Sequence, residues 1–303
     1  MTQQGAKDPA QTAPLEPRKK ISFEQAEGLE PLPSQLKRGE ISGEFRAVLW
    51  ALLHSELEDG RHSDGSHSYL GDPWHRILID AHVYRDHKAV DDFPSRYSEI
   101  AEDLKFLIME LSWSKVLGFL EFALKHPMCP DDFPSSLNAH MAHCHLGYRV
   151  FDDVVICPIG TDEERSSIEN AFADLAASEF HGARAHLRKA AEKLTAGEFA
   201  DSVRESIHAV EATARALEPS GALNSALGRL ENSAKIHKAL KHGFSNLYGY
   251  TSDEKGIRHP LLDDGTAKVD ETDALFMIGA CAAFVSYLIN KARTAGLLTS
   301  PRA

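Results

Sequence analysis

The sequence predicts a mainly α fold of two helical domains with a small β-hairpin near their boundary. Three observations carry that prediction. Apolar residues recur at helical spacing through the first half, one short stretch switches to strand-like alternation, and helical patterning then runs almost unbroken through the second half. A chain of 303 residues has room for two ordinary domains, and 43% hydrophobic residues suffice to build buried cores.

Gln, Ala and Pro dominate residues 1–20, which contain no apolar run resembling a secretory signal and read as a disordered tail. Pro31, Pro33 and Gly39 punctuate the segment that follows. Phe45, Val48, Leu49, Leu52 and Leu53 then mark a helix, and Gly60–Gly71 reads as a polar loop. Asp72–Pro73 has the form of a cap and a first-turn proline, opening a helix through Trp74, Leu78 and Ala81. Asp92–Phe93–Pro94 looks like another helix start. From Tyr97 to Lys125, Leu104, Leu107, Ile108, Leu111, Val116, Leu120 and Leu124 form one long stripe.

Between Gly147 and Gly160 two β-branched and aromatic runs flank Asp152–Asp153, which predicts a hairpin. Thr161 begins TDEE, a capping sequence with acidic residues in the first turn. Helices follow over roughly 163–177, 181–195, 198–217, 222–231, 235–248 and 270–293. The expected organisation is a tail at 1–20, an N-terminal helical domain at 21–160, a connecting helix at 161–180, a helical bundle at 181–295 and a tail at 296–303. No internal repeat or glycine-rich phosphate loop interrupts this scheme.

Composition narrows the function classes. Cys129, Cys144, Cys157 and Cys281 form no C-x-x-C pair, which argues against a zinc ribbon or disulfide framework and fits a reducing cytoplasm. The run Ala274–Ile289 is 16 residues long, short of the roughly 20 that span a bilayer, so a buried helix and no membrane role are expected. Net charge of −12 disfavours a general nucleic-acid coat. Residues 181–303, however, carry 16 Lys and Arg against 14 Asp and Glu, so contact with RNA is easier to place there than on the acidic first half.

Three constellations could carry chemistry. On the helix Phe199–Leu217, an apolar stripe of Phe199, Val203, Ile207, Val210, Ala214 and Leu217 runs beside a polar one of Arg204, His208, Glu211 and Arg215. That polar stripe is either a solvated face of i,i+4 ion pairs or a ladder at the edge of a cleft. The loop YGYTSDEKGIRHP carries Asp253, Glu254, Arg258 and His259. Arg can hold a phosphate and His can exchange a proton near neutral pH, a pairing suited to phosphodiester cleavage, while Arg258 could equally tie the loop to Glu211 or Asp253. The run NAHMAHCH offers His140, His143, Cys144 and His145, with Cys129 upstream, as zinc ligands. It lacks a second paired set at finger-like spacing, so no metal or other cofactor is assigned.

The phrases HLRKAAEKLTAGEFADSVRESIHAVEATARAL, LGRLE, IHKALKHGFSNLYGYTSDEKGIRHPL and DALFMIGACAAFVSYLINKA together resemble the C-terminal HEPN-like region of bacterial abortive-infection proteins. ISFEQAEGL, the long helices and GYRVFDDVVICPIGTDEE are similar to the AbiJ-type N-terminal domain that accompanies it. The resemblance implies a dimerising helical bundle, phage defence and, in many members, metal-independent RNase activity through Arg, four to six intervening residues, then His. Here Arg204 and His208 have three residues between them and Arg258 and His259 are adjacent. Arg61 to His67 fits the interval but lies in the polar loop of the other domain. Arg258 and His259 are therefore the expected catalytic pair, with Arg204, His208, Glu211 and Asp253 in support. The alternative is a non-catalytic HEPN module that dimerises and recruits a partner. The small residues Gly279, Ala280, Ala282 and Ala283 on the apolar last helix suit homodimerisation, and a trigger or antitoxin is left unspecified.

Overall fold

The computed structural model describes residues 29, 36–65, 67–176, 178–219, 223–253 and 268–298. Among them are eleven α-helices and two two-stranded antiparallel sheets, a mainly α architecture. In chain order these are α1 (Gly43–Asp59), β1 (Arg61–Ser63), β2 (Ser68–Leu70), α2 (Trp74–Asp80), α3 (Tyr97–Glu110), α4 (Trp113–Lys125), α5 (Phe133–His143), β3 (Tyr148–Phe151) and β4 (Val155–Pro158). There follow α6 (Asp162–Asp174), α7 (His181–Ala196), α8 (Phe199–Leu217), α9 (Leu223–Ser233), α10 (Lys238–Asp253) and α11 (Glu271–Thr294).

Two hydrophobic cores fill this structure. The first takes Phe45, Leu49, Leu53 and Leu57 from α1, one face at four-residue spacing, and packs them with Trp74, Ile108, Phe119, Leu120, Phe133 and Tyr148. Trp74 and Phe133 meet edge to face at 5.1 Å, and Trp74 Nε1 donates to Glu56. Pro73 sits at the N-cap of α2, one position earlier than the sequence pattern indicates, and Ala81–Arg85 continue α2 as a π-turn.

Two details differ from the sequence reading. The stripe from Tyr97 to Lys125 is two helices, because Leu111 and Ser112 adopt extended backbone. Arg46 reaches across from α1 to the carbonyls of Ile108 and Leu111, occupying acceptors that the break leaves without helical donors. The polar Gly60–Gly71 stretch also forms the β1–β2 ladder, which its charged composition concealed.

The β3–β4 hairpin lies where the alternation places it, with both faces buried. Tyr148, Val150 and Ile156 point into the first core, while Phe151, Val155 and Cys157 point into the second. Gly147 precedes it because any Cβ there would stand 2.3 Å from the Leu36 carbonyl oxygen. At the tip, Asp152 and Asp153 have positive φ, and the buried Asp152 carboxylate receives Arg184 Nε and Arg188 Nε, each at 2.7 Å, from α7.

The second core is a bundle around α8, which packs on α7, α9, α10 and α11. Thr161 and Glu164 close the reciprocal cap that opens α6, and α6 lies against α11. Helix α11 is long and apolar enough to cross a membrane by length and composition. Most of its apolar residues, from Ala274 to Ala292, are instead buried in this core, and Phe276 is exposed.

Candidate functional site

The site is built on the α7–α8 hairpin. Gly197 caps α7 in the left-handed conformation at φ +79°, a geometry that costs glycine nothing and reverses the chain within two residues. Ala183, Ala190 and Ala191 on α7 face Ser202, Ser206 and Ala209 on α8, small residues that let the two helices approach closely. Ser202 Oγ donates to the Ala190 carbonyl at 2.8 Å, fixing the register between them.

That register sets His186 beside His208, each eleven residues from Gly197. Glu205 lies one turn before His208 on the same face of α8. His186 Nδ1 donates to Glu205 Oε2 at 2.7 Å, and His208 Nδ1 stands 3.9 Å from Glu205 Oε1. The two imidazoles meet edge to face at 5.2 Å. Burial works against the Glu205 charge, but the His186 hydrogen bond and the nearby His186, His208 and Lys189 outweigh it, so its carboxyl titrates below the ordinary range. The two histidines keep about a third of their side-chain surface in solvent, at 34% and 29%, against 15% for Glu205. The arrangement is thus open on one side.

The polar stripe of α8 is neither wholly solvated nor wholly buried. Arg204 is half-buried and pairs with Asp201 at 2.6 Å, His208 turns toward Glu205, Glu211 is buried and Arg215 is exposed. Arg258 and His259 lie outside the described residues. Asp253 ends α10, and its side chain also lies outside them. Arg61 and His67 share a shallow surface pocket with Arg96 and Tyr97, where Arg61 stacks on the Tyr97 ring at 4.7 Å and hydrogen-bonds Ser68.

The NAHMAHCH residues do not converge. His143 is exposed near the end of α5, Cys144 is buried, and His145 is exposed at positive φ. Desolvation pushes the Cys144 and Cys129 thiols up to about 11. Among the described residues, the one group of three or more His, Cys, Asp or Glu placed to share an ion is His186, Glu205 and His208. His186 escaped the sequence reading because its partners lie on another helix, and Glu205 gains its role only beside that histidine. The equal spacing about Gly197 is the signal that could have found them.

At the edge of the first core, beside the π-turn, a half-open pocket of about 250 Å³ is lined by Leu78, His82, Lys88, Phe93, Asp103 and Leu107 among others.

Comparison with known proteins gives one match: residues 22–174 fit the family model described as AbiJ N-terminal domain 4. No curated protein and no solved structure matches the chain significantly.

Proposed function

We propose that this chain, which belongs to the AbiJ N-terminal domain 4 family, acts in abortive infection as a cytoplasmic RNase effector whose C-terminal bundle is HEPN-like. Family membership associates the chain with phage defence. The nuclease reading adds a metal-independent cut at a phosphodiester, with Arg258 holding the phosphate and His259 moving the proton. The observation that supports it is the polar side of α8, where Arg204, His208 and Glu211 pass from half-buried to buried on the central helix of the bundle. In this reading they and Asp253 flank the catalytic pair, and two bundles associate as a homodimer.

RNA integrity in cells expressing the wild type, compared with an Arg258→Ala/His259→Ala variant of matching circular dichroism, tests it. Fragmentation by the wild type alone is the expected outcome. Intact RNA in both, with and without phage challenge, rejects the nuclease reading. It would favour the second reading, a HEPN module that binds a partner without cutting. The pairing of Arg204 with Asp201 and the placing of His208 beside Glu205 speak for that second reading, since each gives the side chain a structural neighbour. Sedimentation at micromolar concentration tests the dimer that both readings require.

A further inference from the structure

We propose that His186, Glu205 and His208 form a binding site for one divalent transition-metal ion of the zinc type, bridging α7 and α8. The proposal goes beyond the RNase reading, which puts its chemistry at Arg258 and His259. An ion here would withdraw His208 from acid–base work and leave that pair as the nuclease groups.

Three features of the geometry carry it. First, the donors converge. Both Nδ1 atoms face one carboxylate, each toward a different oxygen, and one ligand atom from each residue lies within 4.8 Å of the others.

Second, the donors stand near the spacing an ion imposes. Zinc takes His nitrogen and carboxylate oxygen at about 2.0–2.2 Å, so tetrahedral ligands stand roughly 3.3 Å apart. The two His–Glu distances straddle that value, and the three ligand atoms lie within 4.8 Å of one another. The helices beneath are held by the Gly197 turn, the Ser202–Ala190 hydrogen bond and a run of small buried residues, so the frame stands before any ion arrives.

Third, the donor set selects the ion. Two imidazoles and one carboxylate match borderline cations, whereas calcium and magnesium demand several oxygens. Lys189 adds positive charge near Glu205, which further penalises an ion held by charge alone. The solvent-facing side leaves room for water as a fourth ligand.

Full-length protein stripped with chelator, dialysed against micromolar Zn²⁺ and analysed for metal tests the proposal. The wild type and a His140→Ala/His143→Ala control should each hold about one ion per chain, and His186→Ala/His208→Ala should fall below about a tenth of that. In the wild type, Zn²⁺ should also protect His186 and His208, but not His143, from carbethoxylation mapped by mass spectrometry. That second readout does not depend on the double variant folding. Failure of the wild type to take up stoichiometric zinc, or zinc bound with both histidines left reactive, overturns the assignment.

Discussion

The first core and the α7–α8 contact in the second solve packing differently. The first is filled by large side chains, with Trp74, Phe45, Phe119, Phe133 and Tyr148 almost wholly buried. The contact between α7 and α8 in the second is lined by Ala190, Ala191, Ser202, Ser206 and Ala209, with hydroxyls bonded to backbone carbonyls. Large residues fill volume between elements set well apart, whereas small ones bring backbones together. A site between close helices inherits its precision from the backbone, and the candidate site lies there.

This contrast predicts opposite sensitivities. Trp74→Ala removes the largest buried side chain and its bond to Glu56, and should cost about 3–5 kcal/mol by denaturant titration. A cost below about 1 kcal/mol would mean that the first core collapses around the gap and is less rigid than its packing implies. In the second core the damaging change is enlargement. Ala209→Leu should cost about 1–3 kcal/mol. It should also disturb the His186–Glu205–His208 geometry, visible as shifted imidazole resonances. Unmoved resonances would separate the site from the helix contact beneath it.

The smallest effect concerns how each region pins its polar groups. Burial disfavours the Asp80 charge, but hydrogen bonds from His126 and Arg76 prevail and lower its titration. A carboxyl lowered on folding contributes stability above its unfolded pKa of about 4 and loses it as acid carries the pH through the folded value. Asp80→Asn should therefore lower the melting temperature in the neutral region, leave it nearly unchanged below the folded pKa, and so flatten the acid limb. An unaltered acid limb would assign acid sensitivity to other lowered carboxyls, Glu58 in the first region or Glu205 in the second.

Local signals were readable in the sequence where a single element determines them. The α8 stripe, the Thr161 cap, the β3–β4 alternation and the burial of α11 all follow from spacing within one segment. What escaped depends on partners distant in sequence. The break after Glu110 is served by Arg46, the β1–β2 ladder forms from polar residues, and Asp152 is claimed by two arginines on α7. The candidate site divides the same way. His208 was visible as a member of the polar stripe, but His186 and Glu205 acquire meaning only once Gly197 folds α7 back along α8.

The hairpin with two buried faces also constrains how such a chain can be recombined. A splice after Gly160 would retain Phe151, Val155 and Cys157, whose contacts belong to the second core, and a splice after Asp174 would retain Ile168, Ala171 and Phe172 as well. The family-matched segment thus carries part of its neighbour's interior with it. Grafting a different C-terminal half would succeed only if the newcomer presents an apolar surface complementary to these residues. Exchange between such proteins is therefore limited by interface fit rather than by linker length.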